Sequence, residues 1–298
     1  MITMIDNILP GEPEAFSLFG KPLYRAPMRA EIEEAQKKRY EVAYKNYKTD
    51  PDDADNIIWL GRRLAYLGKY RDACAFFTIG AEKYPEDPRF PRHRGHRFIT
   101  MRLFDRAIED FELAERLMDS SANEIEPDGI PNERNQPVSS LQTNVWYHLG
   151  LGYYLIGEYE KAEKVYEKGI NAWEIPDNYA SFANWYYQTL RFLGKDEKAK
   201  KLIERASPDM DLSENGMSLN LLLVFKGELL VEDLEKEMRS SGELGLVTLG
   251  YGIAAWYLIN DEKEKAASLL KEIVSIKGWA GFGYIAAEAM YKKMGYSI

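Results

Sequence analysis

The order of apolar and polar residues repeats along the chain. Aligning "LGRRLAYLGKYRDACAFFTIGAEKYP" with "LGLGYYLIGEYEKAEKVYEKGINAW" puts large and small residues in the same order. A frame of about 34 residues describes the repeat. It begins at Ala54, Pro88, Thr143, Ala180 and Val247. Within each copy, apolar residues follow helical spacing on both sides of a turn. The pattern therefore predicts five helix–turn–helix units.

Small and large residues occupy fixed positions in this frame. The twentieth position is always small, the twenty-fourth is always large, and the eighth is glycine or alanine except at Tyr187. A glycine at the fifteenth position, as at Gly157, interrupts the helical pattern where a turn is needed. The small residues are Ala73, Ala107, Ala162, Ala199 and Ala266, and the large ones are Phe77, Phe111, Tyr166, Ile203 and Leu270. We therefore expect the two helices of each pair to pack closely.

This spacing resembles the tetratricopeptide repeat, a helical hairpin with small and aromatic residues at these positions. The second copy departs from the family at Pro91 and Arg94, where large apolar residues are usual. The resemblance implies an all-α fold, a right-handed α-solenoid of antiparallel helix pairs. It also implies that the first helix of each pair lines a concave surface, where such proteins bind partners. About 14 helices are expected if the end helices and one degenerate hairpin are counted.

The repeats divide the chain into three predicted regions. Residues 1–50 form an N-terminal extension with a capping helix over 29–48, and residues 51–210 hold four repeats with an inserted loop at 122–142. Residues 211–298 hold a degenerate hairpin, the last repeat and a C-terminal capping helix over 281–295. The insertion has no periodic pattern, which is unusual in a compact array.

Composition narrows the class of protein. Of 298 residues, 45% are hydrophobic and 29% charged, which is typical of a soluble globular chain. The apolar runs are too short for a membrane helix, and the N-terminus lacks the pattern of a secretion signal, so we expect a cytoplasmic protein without a membrane anchor. With 48 acidic against 39 basic residues, the net charge of -9 argues against nucleic acid as a partner. No phosphate-binding glycine loop is present, and no cofactor is expected.

One stretch runs against the acidic composition. "PRHRGHRFITMR" (91–102) holds four arginines and two histidines without a carboxylate. In the repeat frame it belongs to a first helix, whose positions opposite the packing residues should face the concave surface. Reading those positions through four copies gives the predicted binding residues Trp59, Arg62, Tyr66, Arg89, Arg92, His93, His96, Asn144, Tyr147, His148, Asn184, Trp185, Gln188 and Arg191.

These residue types suit one kind of partner. Arginine binds carboxylates in paired geometry, aromatic rings cover apolar groups, and amides hold a peptide backbone. Some tetratricopeptide proteins clamp a carboxylate terminus, although with lysine and asparagine rather than arginine and histidine. We therefore predict a non-catalytic module that binds an acidic or carboxylate-bearing segment of another protein. The alternative at this point is an ordinary solvated basic surface.

Three further hypotheses compete with this function. The insertion could be a lid or plug that lays Glu124, Glu126 and Asp128 over Arg92, Arg94 and Arg97, or a disordered surface loop. An enzyme or small-ligand receptor could use the histidines beneath that loop. A homodimer could form through the aromatic segment 279–295. A zinc site on the three histidines is disfavoured by the neighbouring arginines, and Cys74 is expected to be a packing residue.

Overall fold

The computed structural model describes residues 11–298, so part of the N-terminal segment used to predict the lack of a secretion signal lies outside the described residues. The described part contains fourteen helices and one two-stranded antiparallel sheet, which confirms the predicted all-α class. The strands are β1 (Ala15–Phe16) and β2 (Pro22–Leu23). The helices are α1 (Ala30–Thr49), α2 (Ala54–Tyr66), α3 (Tyr70–Lys83), α4 (Arg89–Thr100), α5 (Phe104–Leu117), α6 (Leu141–Ile156), α7 (Tyr159–Ala172), α8 (Pro176–Phe192), α9 (Asp196–Ile203), α10 (Gly216–Lys226), α11 (Val231–Ser240), α12 (Gly242–Ile259), α13 (Lys263–Ile273) and α14 (Phe282–Lys293).

The predicted pairs are α2–α3, α4–α5, α6–α7, α8–α9 and α12–α13, each formed by helices in contact. All five alanines at the twentieth position are fully buried. A Cβ added at Gly61 would lie 2.5 Å from Phe77 Cε1, and one at Gly95 would lie 3.0 Å from Phe111 Cε2. Gly150 faces Tyr166 in the same way. The eighth position is therefore small because the ring at the twenty-fourth position lies against the backbone there.

The fourth pair lacks the small residue and packs differently. Tyr187, at its eighth position, is buried and stacks on Phe225 of α10, with the ring centroids 4.5 Å apart. The second helix of this pair, α9, is short, and its large residue is Ile203 rather than an aromatic ring. The ring at the eighth position is thus accommodated by the next helix along the chain.

The chain divides into two compact units, with the boundary between Met118 and Asp119. This boundary falls inside the region 51–210 that the repeat pattern treats as continuous. In the first unit, consecutive helices from α1 to α5 pack on one another, and α2 also contacts α4. The segment before α1 is fixed to α3, because a Glu14 carboxylate oxygen accepts a hydrogen bond from the Arg71 backbone N–H at 3.0 Å.

In the second unit, the insertion has a defined conformation. Its ends are joined by an isolated bridge between Ile125 and Ser140, and the Leu141 N–H donates to the Glu124 carbonyl at 2.8 Å. Ser140 and Thr143 then form reciprocal side-chain caps, so α6 begins at Leu141. The predicted loop boundary at 142 is therefore two residues too late, since the capping residue precedes the repeat frame.

Helix α12 is long and apolar. It is α-helical at both ends and contains a π-helical turn over Leu246–Gly250. Over Gly242–Ile259 its mean hydropathy is 1.3, so length and composition alone would allow it to cross a membrane. Half of this segment is buried within the fold, where it packs against α8, α10, α11, α13 and α14. Packing within the unit accounts for its composition.

The C-terminal helix does more than cap the last repeat. It packs on α12 and α13, and it also contacts α6 of the third repeat. Phe282 lies edge-on to His148 with ring centroids 5.5 Å apart, and the Lys293 ammonium lies 4.4 Å from the Tyr159 ring centroid. The aromatic residues of 279–295 that were candidates for a dimer contact, such as Trp279 and Tyr284, are buried within this unit.

Candidate functional site

The basic residues of the first unit lie on α2 and α4. Arg92 and His93 are buried, and an Arg92 Nη1 donates to His93 Nδ1 at 3.2 Å. The His93 ring stacks on Phe77, with centroids 5.4 Å apart and planes 20° apart. The Arg62 guanidinium lies over the Trp59 ring at 4.3 Å from its centroid.

Positive charge converges on His93. Burial lowers its pKa well below the ordinary value for histidine, and the neighbouring guanidinium groups of Arg92, Arg62, Arg97 and Arg89 lower it further. The imidazole is therefore neutral at neutral pH and does not add to the charge of this surface. Titration of His93 would therefore not give anion binding a pH dependence near neutrality. Burial also lowers the pKa of Arg97, whose guanidinium lies 5.7 Å from the Tyr70 ring centroid.

Two other arginines of α4 are held by carboxylates. Arg94 donates to both oxygens of Asp110, at 2.8 and 2.7 Å, and to Thr78. Arg89 pairs with Asp87 and with Asp55, each at 2.6 Å. Arg94 is the position where the family pattern requires an apolar residue, and its ion pair with the twenty-third position replaces that apolar contact. The arginines of α4 available to an anion are therefore fewer than the sequence indicates.

The other predicted residues of the first unit, Trp59, Tyr66 and His96, are partly buried on α2 and α4. Trp59 and Tyr66 are partly buried on α2, and the Arg63 guanidinium lies over both rings, 4.8 and 5.7 Å from their centroids. His96 is partly buried on α4, three residues from His93. These residues share the two first helices with Arg62 and Arg92, as the repeat frame predicts.

The second unit contains a cavity of about 410 Å³ bounded by α6, α8, α10, α12 and α14. Four predicted binding residues line it. The full lining is Tyr147, Asn184, Trp185, Gln188, Glu214, Asn215, Met217, Ser218, Val247, Thr248, Tyr251, Gly252, Gly281, Phe282 and Gly283. Of these described lining residues, Glu214 alone carries a charge. The cavity is therefore aromatic and amide-bearing rather than basic.

A chain of hydrogen bonds runs behind the cavity wall. The hydroxyls of Tyr154 and Tyr251 are 2.5 Å apart, and Tyr154 donates to Gln188 Oε1 at 3.0 Å. Gln188 Nε2 then donates to the Asn184 carbonyl at 3.2 Å and to Asn184 Oδ1 at 3.0 Å. Gln188 is fully buried and Asn184 is 9% exposed. These bonds fix the amide of Asn184 at the surface of the cavity.

The aromatic residues form a second part of the wall. The Trp185 ring stacks on Tyr251, with centroids 5.7 Å apart, and its Nε1 donates to Tyr147 Oη at 2.7 Å. Burial raises the pKa of Tyr147 to about 12, so its hydroxyl stays protonated at neutral pH. Tyr147 can donate a hydrogen bond there but cannot act as a base.

The insertion reaches the rim of this cavity. Asn132 Nδ2 donates to Glu214 Oε1 at 2.7 Å, and Arg134 pairs with Asp211 at 2.6 Å. The buried Asp177 carboxylate accepts the backbone N–H groups of residues 213, 214 and 215 at 2.9 to 3.0 Å. Loop and rim are thus joined by several charged and polar contacts.

Three predicted residues of the second unit lie away from the cavity. Asn144 donates to Glu126 and Ser139 of the insertion. His148 is buried, and its Nδ1 lies 2.6 Å from the Asn144 carbonyl, so that nitrogen carries the proton. Arg191 binds Tyr187 and Asp196 and lines a separate cavity of about 420 Å³ beside α9 and α10.

Sequence reasoning missed several residues of the cavity wall. Thr248 and Tyr251 occupy the second and fifth positions of the fifth copy, the same positions that predict Asn144 and Tyr147 in the third. Reading the positions opposite the packing residues in the fifth copy, as in the other four, would have identified Thr248 and Tyr251. Ser218 and Phe282 lie on α10 and α14, outside the five framed copies, and no periodic signal marked them.

Comparisons with known proteins add distant likenesses. No protein-family model matches the chain, and no curated protein matches its sequence. Among solved structures, YrrB, described as a TPR protein with an unusual peptide-binding site, is 14% identical over 86% of this chain and 99% of that one, with a TM-score of 0.43. MamA is 16% identical over 68% and 99%, with a TM-score of 0.44. A tetratricopeptide repeat protein from Parabacteroides merdae is 16% identical over 87% and 98%, with a TM-score of 0.48.

Packing within the chain itself defines the fold. Five antiparallel helix pairs recur in the predicted frame, each with a buried alanine at the twentieth position. In three pairs an aromatic ring at the twenty-fourth position lies against a glycine at the eighth. This arrangement is the one that the tetratricopeptide spacing encodes. The chain therefore folds as antiparallel helix pairs that resemble the tetratricopeptide repeat.

Proposed function

We propose that the chain is a non-catalytic protein-interaction module whose α2–α4 surface binds an acidic or carboxylate-bearing segment of another protein. One observation carries the proposal: α2 packs on α4, Arg92 lies 3.2 Å from the ring nitrogen of the buried His93, and the charges of Arg62 and Arg97 act on the same imidazole. Like charges gathered on a partly buried surface raise the local potential, which an anionic segment lowers. Aromatic residues of the same helices, such as Trp59, supply area for its apolar groups.

Catalysis has less support. Cys74 is buried beside Met101, and burial raises the pKa of its thiol to about 12, so a thiolate nucleophile is not formed at neutral pH. His93 is neutral and packed on Phe77. His148 is covered by Phe282 and does not line the cavity of the second unit. Cys74, His93 and His148 are therefore not arranged as a nucleophile and its base.

A labelled hexaglutamate peptide with a free carboxyl terminus tests the proposal by fluorescence anisotropy. Arg62→Ala and Arg97→Ala should each weaken binding about tenfold to a hundredfold, because a hydrogen bond to a charged group contributes about 1.5 to 3 kcal/mol. Arg89→Ala is the matched control on α4. It removes the same charge, but from a guanidinium already bound to Asp87 and Asp55.

The comparison excludes effects of net charge and of folding. All three variants should keep the helical circular dichroism of the parent chain, and Arg89→Ala should bind the peptide with an affinity close to that of the parent. Equal losses in all three variants would mean that only net charge matters. Unchanged binding in Arg62→Ala and Arg97→Ala would show that this surface is not the site.

A further inference from the structure

The hydrogen bonds that join Tyr251, Tyr154, Gln188 and Asn184 in the second unit allow only one assignment of donors and acceptors. Gln188 Nε2 faces the Asn184 carbonyl, which can only accept, so the orientation of the Gln188 amide is fixed. Gln188 Oε1 must then accept from Tyr154, and the Tyr154 oxygen in turn accepts from Tyr251. The donors therefore run from Tyr251 through Tyr154 and Gln188 to Asn184.

This direction determines what Asn184 presents to the cavity. Its Oδ1 accepts from Gln188 Nε2, so its Nδ2 points the other way, and no described residue accepts a hydrogen bond from that nitrogen. The Tyr147 oxygen already accepts from Trp185 Nε1, which leaves its O–H as a donor with no acceptor in the described part of the chain. The Ser218 hydroxyl, on the same wall, also bonds to none of residues 11–298. The cavity thus presents three uncharged donors.

The charge of the cavity favours a neutral ligand. Glu214 lies at its rim, so an anion would meet a like charge there and no described lysine or arginine on the wall. The rings of Trp185 and Tyr251 cover each other and are nearly buried, so they offer no open face for stacking a sugar. Peptide carbonyls are neutral acceptors that match amide and hydroxyl donors.

We propose that the cavity of the second unit is a second binding site, which takes an uncharged, extended peptide segment through backbone carbonyls bound by Asn184 Nδ2 and Tyr147 Oη. Tyr154 lies outside the cavity lining, and Gln188, which is fully buried, acts by holding the Asn184 amide; both are positioning residues. The site does not depend on the α2–α4 surface, because it uses different residues and no positive charge.

Selection of a random dodecapeptide phage library on the full chain supplies the probes, and anisotropy of labelled selected peptides measures affinity. The expected peptides lack a net charge, and their affinity should hold between about 50 and 500 mM NaCl, since screening acts on charges. Asn184→Asp should lower the affinity about tenfold or more, because it keeps the oxygen that faces Gln188 and replaces the donor with an acceptor. Hexaglutamate binding should not change in this variant.

Tyr154→Phe tests the positioning role, and Tyr166→Phe is its matched control. Tyr166 is fully buried in the same unit, and its hydroxyl has no hydrogen-bond partner among residues 11–298. Tyr154→Phe should shift the NMR signal of the Asn184 side-chain amide and weaken peptide binding severalfold. Tyr166→Phe should leave both the signal and the affinity unchanged.

Three results would overturn this second site. The selection could yield no peptide that binds the chain, or selected peptides could bind Asn184→Asp as well as they bind the parent. They could also lose affinity in Arg97→Ala, which would assign them to the α2–α4 surface. None of these results bears on hexaglutamate binding, so the two proposals can fail separately.

Discussion

The ionisation of single residues on α4 decides the chemistry of the first unit. Arg89 and Arg94 are neutralised by carboxylates on the same helix pair or the preceding one. His93 is neutral because it is buried among guanidinium groups. The stretch 91–102 therefore adds less positive charge to the surface than its composition implies, because Asp110 offsets Arg94 and His93 is uncharged.

The depressed pKa of His93 has a consequence for stability. An unfolded histidine takes up a proton below a pH of about 6.5, whereas folded His93 takes one up only at lower pH. As pH falls through this window the unfolded state binds more protons, so the free energy of unfolding decreases, by up to about 1.4 kcal/mol per pH unit. Arg92, Arg62, Arg97 and Arg89 stay charged throughout, so they do not contribute to the slope.

Urea unfolding at a series of pH values measures this effect. His93→Gln keeps an acceptor for Arg92 but does not titrate, so its stability should depend less on pH than that of the parent between about 6.5 and 5.5. Above about pH 7.5 the two slopes should agree. If the slopes are the same at every pH, His93 is not the group that titrates in this window.

At the residue scale, the sequence predicted which helix a residue lies on better than it predicted whether the side chain is charged and accessible. The repeat frame put Arg92, His93 and Arg94 on one helix, but whether each is charged and accessible depends on contacts with α2, α3 and α5. Asp110 lies one helix away from Arg94, and Asp55 lies 34 residues from Arg89. No local pattern in the sequence specifies such partners.

At the scale of elements, turns follow the frame even where the residue type changes. Gly68, Gly157 and Gly194 at the fifteenth position have φ of 74°, 84° and 69°. The copies without glycine have Arg102 and Asp261 at the same position, with φ of 63° and 62°. The left-handed turn is therefore a property of the helix pair rather than of glycine. A non-glycine residue in this conformation costs about 1 to 2 kcal/mol of free energy, and packing of the pair outweighs that cost.

Packing within a pair also gives an element-scale prediction. Ala162 is fully buried at the twentieth position, whereas the Lys161 side chain beside it is 58% exposed. Ala162→Leu should lower the free energy of unfolding by about 1 to 3 kcal/mol through overpacking. Lys161→Leu should change it by less than about 0.5 kcal/mol, as is usual for exposed sites. Equal melting temperatures for the two variants in calorimetry would contradict the repeat frame.

The sequence predicted the helices outside the repeat frame less completely than those within it. The frame gave α2 through α9 nearly to their ends, and it indicated α10, α11 and α14 from their apolar patterns alone. It did not predict that α14 would contact α6, because that contact joins residues more than a hundred positions apart and leaves no periodic signal. The same contact supplies Phe282 to the cavity wall.

At the scale of the whole molecule, the two units carry surfaces of different chemistry. The first presents guanidinium groups on α2 and α4, and the second presents neutral hydrogen-bond donors around a cavity. A net charge of -9 hides this difference, since it averages over the chain. The first surface lies on first helices of the framed repeats, whereas the cavity also takes part of its wall from α10 and α14, outside the frame.

The most direct test of the central claim is to locate a bound acidic segment on the full chain. A hexaglutamate peptide with a photoreactive benzoylphenylalanine at one end can be cross-linked and the adducts mapped by mass spectrometry. We expect adducts on α2 and α4, within Ala54–Tyr66 and Arg89–Thr100, and fewer of them in Arg62→Ala and Arg97→Ala. Adducts confined to α3 and α5, or to the second unit, would contradict it.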